Sequence, residues 1–174
     1  AKSWKTEEQA PEKARPNLNR VGWVSSWNTR CGIAGYSAHL LEHSEAEVSI
    51  YASHRTQEEE LDKWLLPPDA PEVTRCWSSG FGDDLSGLRQ ALLEDLPPVV
   101  VIQFNYGFFE FPALSALIIA LKAEGAAVVV MLHATADPPE LPDRRLELLK
   151  AALEQCDRLL VHSVQDLNRL KGIG

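Results

Sequence analysis

The run Val99-Val100-Val101-Ile102-Gln103 most constrains what this chain can fold into. A nearly unbroken series of β-branched residues reads as a strand buried on both faces, which occurs where helices cover both sides of a parallel sheet. A second such run, Ala126 to Leu132, ends at His133. Val21–Val24, Val48–Tyr51, the weaker Val73–Trp77 and Arg158–His162 read as further strands. Between them lie helical patterns: Ile33, Tyr36, Ser37, Leu40 and Leu41 on one face; Leu85, Leu88, Leu92 and Leu93 before Pro97-Pro98; about Pro112 to Glu124, stopped by Gly125; and Leu146 to Leu153. Ser163 can cap a closing short helix that carries Leu167 and Leu170. The order predicts an α/β fold, a doubly wound parallel sheet with helices on both faces. In such sheets ligands bind at the carboxyl ends of strands, beside the point where strand order reverses. Four loops therefore matter: Ser25–Gly32, Gln103–Phe111, His133–Pro139 and the turn His162-Ser163.

A length of 174 residues suits one domain with a short tail. Residues 1–18, with mixed charges, Pro11 and Pro16, read as a linker or disordered tail, and 19–174 as the domain. A linker at the front, and a first residue other than Met, lead us to expect a piece of a longer polypeptide. Lys plus Arg is 17 against 25 for Asp plus Glu, a formal charge of −8. Such a chain lacks the basic footprint of a nucleic-acid binder and is a poor candidate for anionic lipid. Cys31, Cys76 and Cys156 are odd in number and widely spaced, which excludes a disulfide framework and a multi-cysteine zinc site and suits a reducing, cytoplasmic setting. No apolar run approaches the length of a membrane span, and the first residues lack the apolar core of a secretory signal.

Gly32 and Gly35 open the helix after the first strand, where unpaired N–H groups favour an anion. Packing at a strand-to-helix turn would account for these glycines equally well. His39-Leu40-Leu41-Glu42-His43 fits the zinc pattern H-x-x-E-H. If Leu40 and Leu41 face the core, however, both histidines face solvent, and a catalytic zinc needs a third ligand and a cleft. No metal or other cofactor is expected. His133, at a strand end with Thr135 beyond it, can hydrogen-bond a ligand hydroxyl or stabilise developing charge. Glu110 and Asp137 are its candidate carboxylate partners. In the aromatic stretch Gln103–Phe111 most rings cover the core, leaving Tyr106 and Asn105 as candidates for exposure. Glu58-Glu59-Glu60 reads as solvated surface.

Four stretches in this order resemble the N-terminal half of GT-B glycosyltransferases, specifically the large retaining family 4. They are Cys31–Ser37, Val101–Gly107, Val128–Thr135 and Cys156–Ser163. The resemblance implies one half of a GT-B architecture: a Rossmann-like acceptor-side domain facing a nucleotide-sugar-binding domain across a cleft. It implies that Gly32 lies near the donor phosphates and that His133, the catalytic candidate, contacts the transferred sugar. Asn28, Arg30 and Tyr106 become acceptor-side candidates, with Thr135 and Ser163 as further substrate-binding positions. The implied partners are a nucleotide-sugar donor and a glycan acceptor, with membrane contact only through a lipid-linked acceptor.

The paired glutamates and basic residues of the family's second domain have no counterpart here. The expectation is that residues 1–174 alone transfer no sugar. The main alternative is a non-catalytic Rossmann-like binding or interaction module, which has no need for His133 and Arg30 to converge. Another two-domain sugar-nucleotide enzyme, such as an epimerase, is a further alternative that product analysis separates.

Overall fold

The computed structural model describes residues 19–61 and 68–173, so the stretch read as a linker, 1–18, lies outside the described residues. In chain order the elements are β1 (Arg20–Ser25), α1 (Gly32–Leu41), β2 (Glu47–Ser53), α2 (Gln57–Leu61), β3 (Val73–Trp77), α3 (Ser86–Asp95), β4 (Val99–Phe104), α4 (Phe111–Ala123) and β5 (Ala127–Leu132). A 3-10 turn at Leu146–Leu149 runs into α5 (Lys150–Leu153), followed by β6 (Arg158–Val161) and α6 (Val164–Ile173). The six strands form one sheet in the order β3-β2-β1-β4-β5-β6, every pair parallel. This is the doubly wound, Rossmann-like arrangement, with strand order reversing between β1 and β4.

The alternation of side chains divides the core in two. Val24, Val100, Ile102, Val128, Val130 and Leu132 point to one face, where α3, α4 and α5 bury Leu88, Leu92, Leu114, Leu117, Ile118 and Leu153 against them. The opposite face carries the row Val73–Ile50–Trp23–Val101–Val129 in register. Its smaller cluster centres on Trp23, Ile50 and Ala52, and α1 packs there. Right-handed crossovers explain the split, since β1→β2→β3 progresses one way across the sheet and β4→β5→β6 the other.

Helix ends follow local chemistry. Leu96 closes α3 in the left-handed region (φ 45°) just before Pro97, and Gly125 (φ 85°) closes α4, the position where a Cβ is disfavoured. Two expectations hold only in part: Leu41 packs against the Trp23 cluster, and Glu58 and Glu60 are exposed, but the rest differs. Leu40 is 46% exposed, because α1 docks through small residues: Ala34 and Ser37 are buried, and the Ser37 and Ser25 hydroxyls bond at 2.9 Å. The acidic run is not bare surface either. It forms α2, and Glu59 accepts from the backbone N–H groups of Thr56 (3.0 Å) and Arg30 (2.8 Å).

Candidate functional site at the carboxyl edge of the sheet

The strand ends β1, β4, β5 and β6 and the start of α1 meet at one edge of the sheet. Cys31 precedes α1 without a side-chain cap, so the first N–H groups of this ten-residue helix have neither an intrahelical partner nor a capping side chain. A Cβ built on Gly32 or on Gly35 meets no heavy atom within 4 Å, and neither residue has positive φ. Packing and backbone conformation therefore give no reason for glycine at position 32.

Beside this helix end, His133 follows β5. Its Nε2 lies 2.7 Å from Oε1 of Gln103, and its Nδ1 lies 3.1 Å from Nε2 of His162, just beyond β6. The two contacts link Gln103, His133 and His162 in one chain, and the tautomer of each ring sets which nitrogen donates. Tyr36, from α1, stands edge-on to both imidazoles, with centroids 5.1 and 5.3 Å away. Burial and the neighbouring His162 lower the His133 pKa to about 4, so the ring is neutral at pH 7.

Thr135 and Ser163 converge on one carboxylate. The buried Thr135 hydroxyl donates to Oδ1 of Asp166 and the Ser163 hydroxyl to Oδ2, each at 2.5 Å. Ser163 also receives the Asp166 backbone N–H at 3.1 Å, which makes it the cap expected for α6. Bonds from Ser163 and then Thr135 hold the Asp166 carboxyl below the usual carboxylate range, with Arg169 alongside at 3.2 Å.

The remaining candidates sit in other networks. Asn28 is in the left-handed region (φ 46°), its amide donates to Asp69 at 3.2 Å, and its carbonyl accepts from Arg55 at 3.1 Å. Asp69 also binds Arg75, whose guanidinium reaches the Trp27 and Ser53 carbonyls and so ties the ends of β1, β2 and β3 together. These bonds, Arg75 foremost, hold the Asp69 carboxyl low against the opposing effect of burial. Arg30 is exposed, and its backbone is fastened to α2 through Glu59. No hydrogen bond or ion pair among the described residues joins Arg30 to His133.

Contrary to the expectation that Tyr106 is exposed, it is 5% accessible, because its ring packs on Phe104 and Phe111. Its hydroxyl donates to Asp137 at 2.8 Å, and burial followed by this carboxylate raises its pKa. Glu110 is likewise engaged elsewhere, 3.1 Å from the buried Arg144. Arg144 donates to the Tyr106 and Phe109 carbonyls and lies 4.3 Å over the Phe81 ring, so it organises the aromatic loop. Neither expected carboxylate is recorded against His133.

His39 and Glu42 face solvent, 3.6 Å apart, and no group of three or more metal-ligating side chains occurs among the described residues. They border a cavity of about 720 Å³ lined also by Trp27, Leu41, Val48 and Ile50, and neither His133 nor His162 lines it. No helix among the described residues is long and apolar enough to cross a membrane. Sequence reasoning missed Gln103, Tyr36 and Asp166 as site residues. The available signal was Gln103 itself, an amide at the end of a doubly buried strand, where a polar side chain requires a partner. The sequence matches no protein-family model, and no curated protein matches it significantly.

Proposed function

We propose that this chain is the acceptor-side domain of a GT-B glycosyltransferase, moving a sugar from a nucleotide-sugar to a glycan or lipid-linked acceptor in cytoplasmic polysaccharide synthesis. The observation that carries this reading is Gly32. It stands where an uncapped helix presents its N–H groups, with open space around its Cα and no packing or φ requirement for glycine. That combination suits close approach of a diphosphate. On this reading His133 contacts the transferred sugar, and Thr135, Ser163 and Asp166 form the polar wall beside it. Donor binding and ionisation require groups from a second domain.

One observation favours a non-catalytic binding module instead. The Asn28 amide, the Arg30 backbone N–H and the Tyr106 hydroxyl are all bonded to the protein's own carboxylates. The two readings separate in a turnover assay. In the polypeptide that joins this domain to a donor-binding domain, His133→Ala should lower nucleoside-diphosphate release from a nucleotide-sugar by about 10²-fold, the scale of losing one preorganised polar contact. Its melting temperature should stay within a few degrees. Residues 1–174 alone should give no release above a buffer blank. Unchanged turnover in the variant, or turnover by the isolated chain, would count against the reading.

A further inference from the structure

Gln103 is fully buried, yet among the described residues its amide nitrogen has no hydrogen-bond partner, while its oxygen meets one imidazole. An amide left half-satisfied in a core is a poor stabilising device, because a buried donor without a partner forfeits its bond to water. What it supplies is direction. We propose that Gln103 is a positioning residue: by accepting His133 Nε2–H it fixes that ring as the Nε2-protonated tautomer and aims Nδ1, as an acceptor, at the hydroxyl of a neutral ligand.

The geometry supports each part. Gln103, one residue before the end of β4, is in register with Met131 of β5, and a side chain rooted in the rigid sheet holds the ring beyond β5. Tyr36 from α1 and His162 beyond β6 enclose the ring on its other sides. The donor now on Nδ1 is His162, an exposed residue outside the strands, so a ligand O–H can replace it without disturbing the sheet. An acceptor nitrogen discriminates by chemistry. It welcomes a hydroxyl and repels an ionised carboxylate, whose oxygens offer it no proton. Only the ligand's identity as a sugar rests on the functional proposal above; the tautomer does not.

Nitrogen-15 spectra of the histidine rings in the 174-residue chain at pH 7 test this directly. The expected result is a pyrrole-type Nε2 and a pyridine-type Nδ1 for His133. The opposite tautomer, or a doubly protonated ring, would overturn the proposal. Gln103→Leu should convert the ring to a tautomer mixture, and Gln103→Glu should restore Nε2–H and raise the pH at which His133 titrates. If Gln103→Leu does not fold, the wild-type spectrum and Gln103→Glu still decide. A neutral methyl glucoside should then shift Nδ1 where acetate, a proton-free anion at pH 7, does not. A shift by acetate alone, or no shift with the sugar, would overturn the hydroxyl assignment and weaken the glycosyl reading, while an Nε2–H tautomer would leave the role of Gln103 standing.

Discussion

His133 carries a consequence for stability as well as for binding. Its folded-state pKa, about 4, lies below the value of about 6.5 for an unperturbed histidine, through burial first and His162 second. Between those values the unfolded chain binds a proton that the folded chain refuses, so the folded state loses ground as pH falls through this window. Above about pH 6.5 both states are neutral at this residue and the contribution is flat. Among the described residues the side chains that meet the ring are Gln103 from β4, Tyr36 from α1 and His162 beyond β6, none of them a carboxylate that would offset the effect. Denaturant titrations of wild type and His133→Asn should therefore diverge as pH falls from 6.5 to 4, with the variant losing less stability. Parallel curves across that range would show that His133 titrates normally.

At the scale of elements, two helical glycines make opposite demands. In α3, a Cβ on Gly87 would meet the Cys76 carbonyl oxygen of β3 at 2.6 Å, a contact with backbone that a rotamer change cannot relieve. In α1, a Cβ on Gly35 meets nothing within 4 Å. Helix propensity favours alanine over glycine by about 1 kcal/mol at an interior position, so it acts alone at Gly35 but against overpacking of about 1–3 kcal/mol at Gly87. Gly35→Ala should raise the melting temperature by roughly 2–4 °C, and Gly87→Ala should lower it by a similar amount or more. Thermal scans of the pair check the sign. The same elements show what periodicity conveys: β4, β5, α3 and α4 were legible because apolar runs and Leu spacing report burial directly. Helix α2 was not, since Glu58 to Glu60 resemble solvated surface until Glu59 finds the Thr56 and Arg30 N–H groups. In α1 only Leu40 was misplaced: the helix seats itself through Ser37 and Leu41, as read, and through Ala34, which is too small to mark a core face.

For the whole molecule, sheet order decides which side of the site is rigid. Gln103 stands on β4, paired on both sides, and His133 follows β5, also paired on both sides. His162 follows β6, a four-residue edge strand with Leu159 and Leu160 at 36% and 41% exposure, and α6 beyond it buries no residue fully. The doubly wound class was readable from the alternation of strands and helices, but this edge position was not. The partners of His133 were not, because the pairing of positions 103, 133 and 162 depends on register between strands that sequence leaves unmeasured. Local opening free energies scale with buried contacts, from near zero at poorly packed ends to the global value in central strands. Amides of β6 and α6 should thus exchange through local opening well before those of β1, β4 and β5, which should open only with global unfolding. Hydrogen exchange followed by peptide mass spectrometry measures this order. With this gradient, His162, Ser163 and Asp166 form a yielding wall against the fixed Gln103–His133 pair, as replacement of His162 by a ligand hydroxyl requires. Equal protection across β4, β5, β6 and α6 would mean a rigid wall, and His162 would then remain a permanent partner of His133.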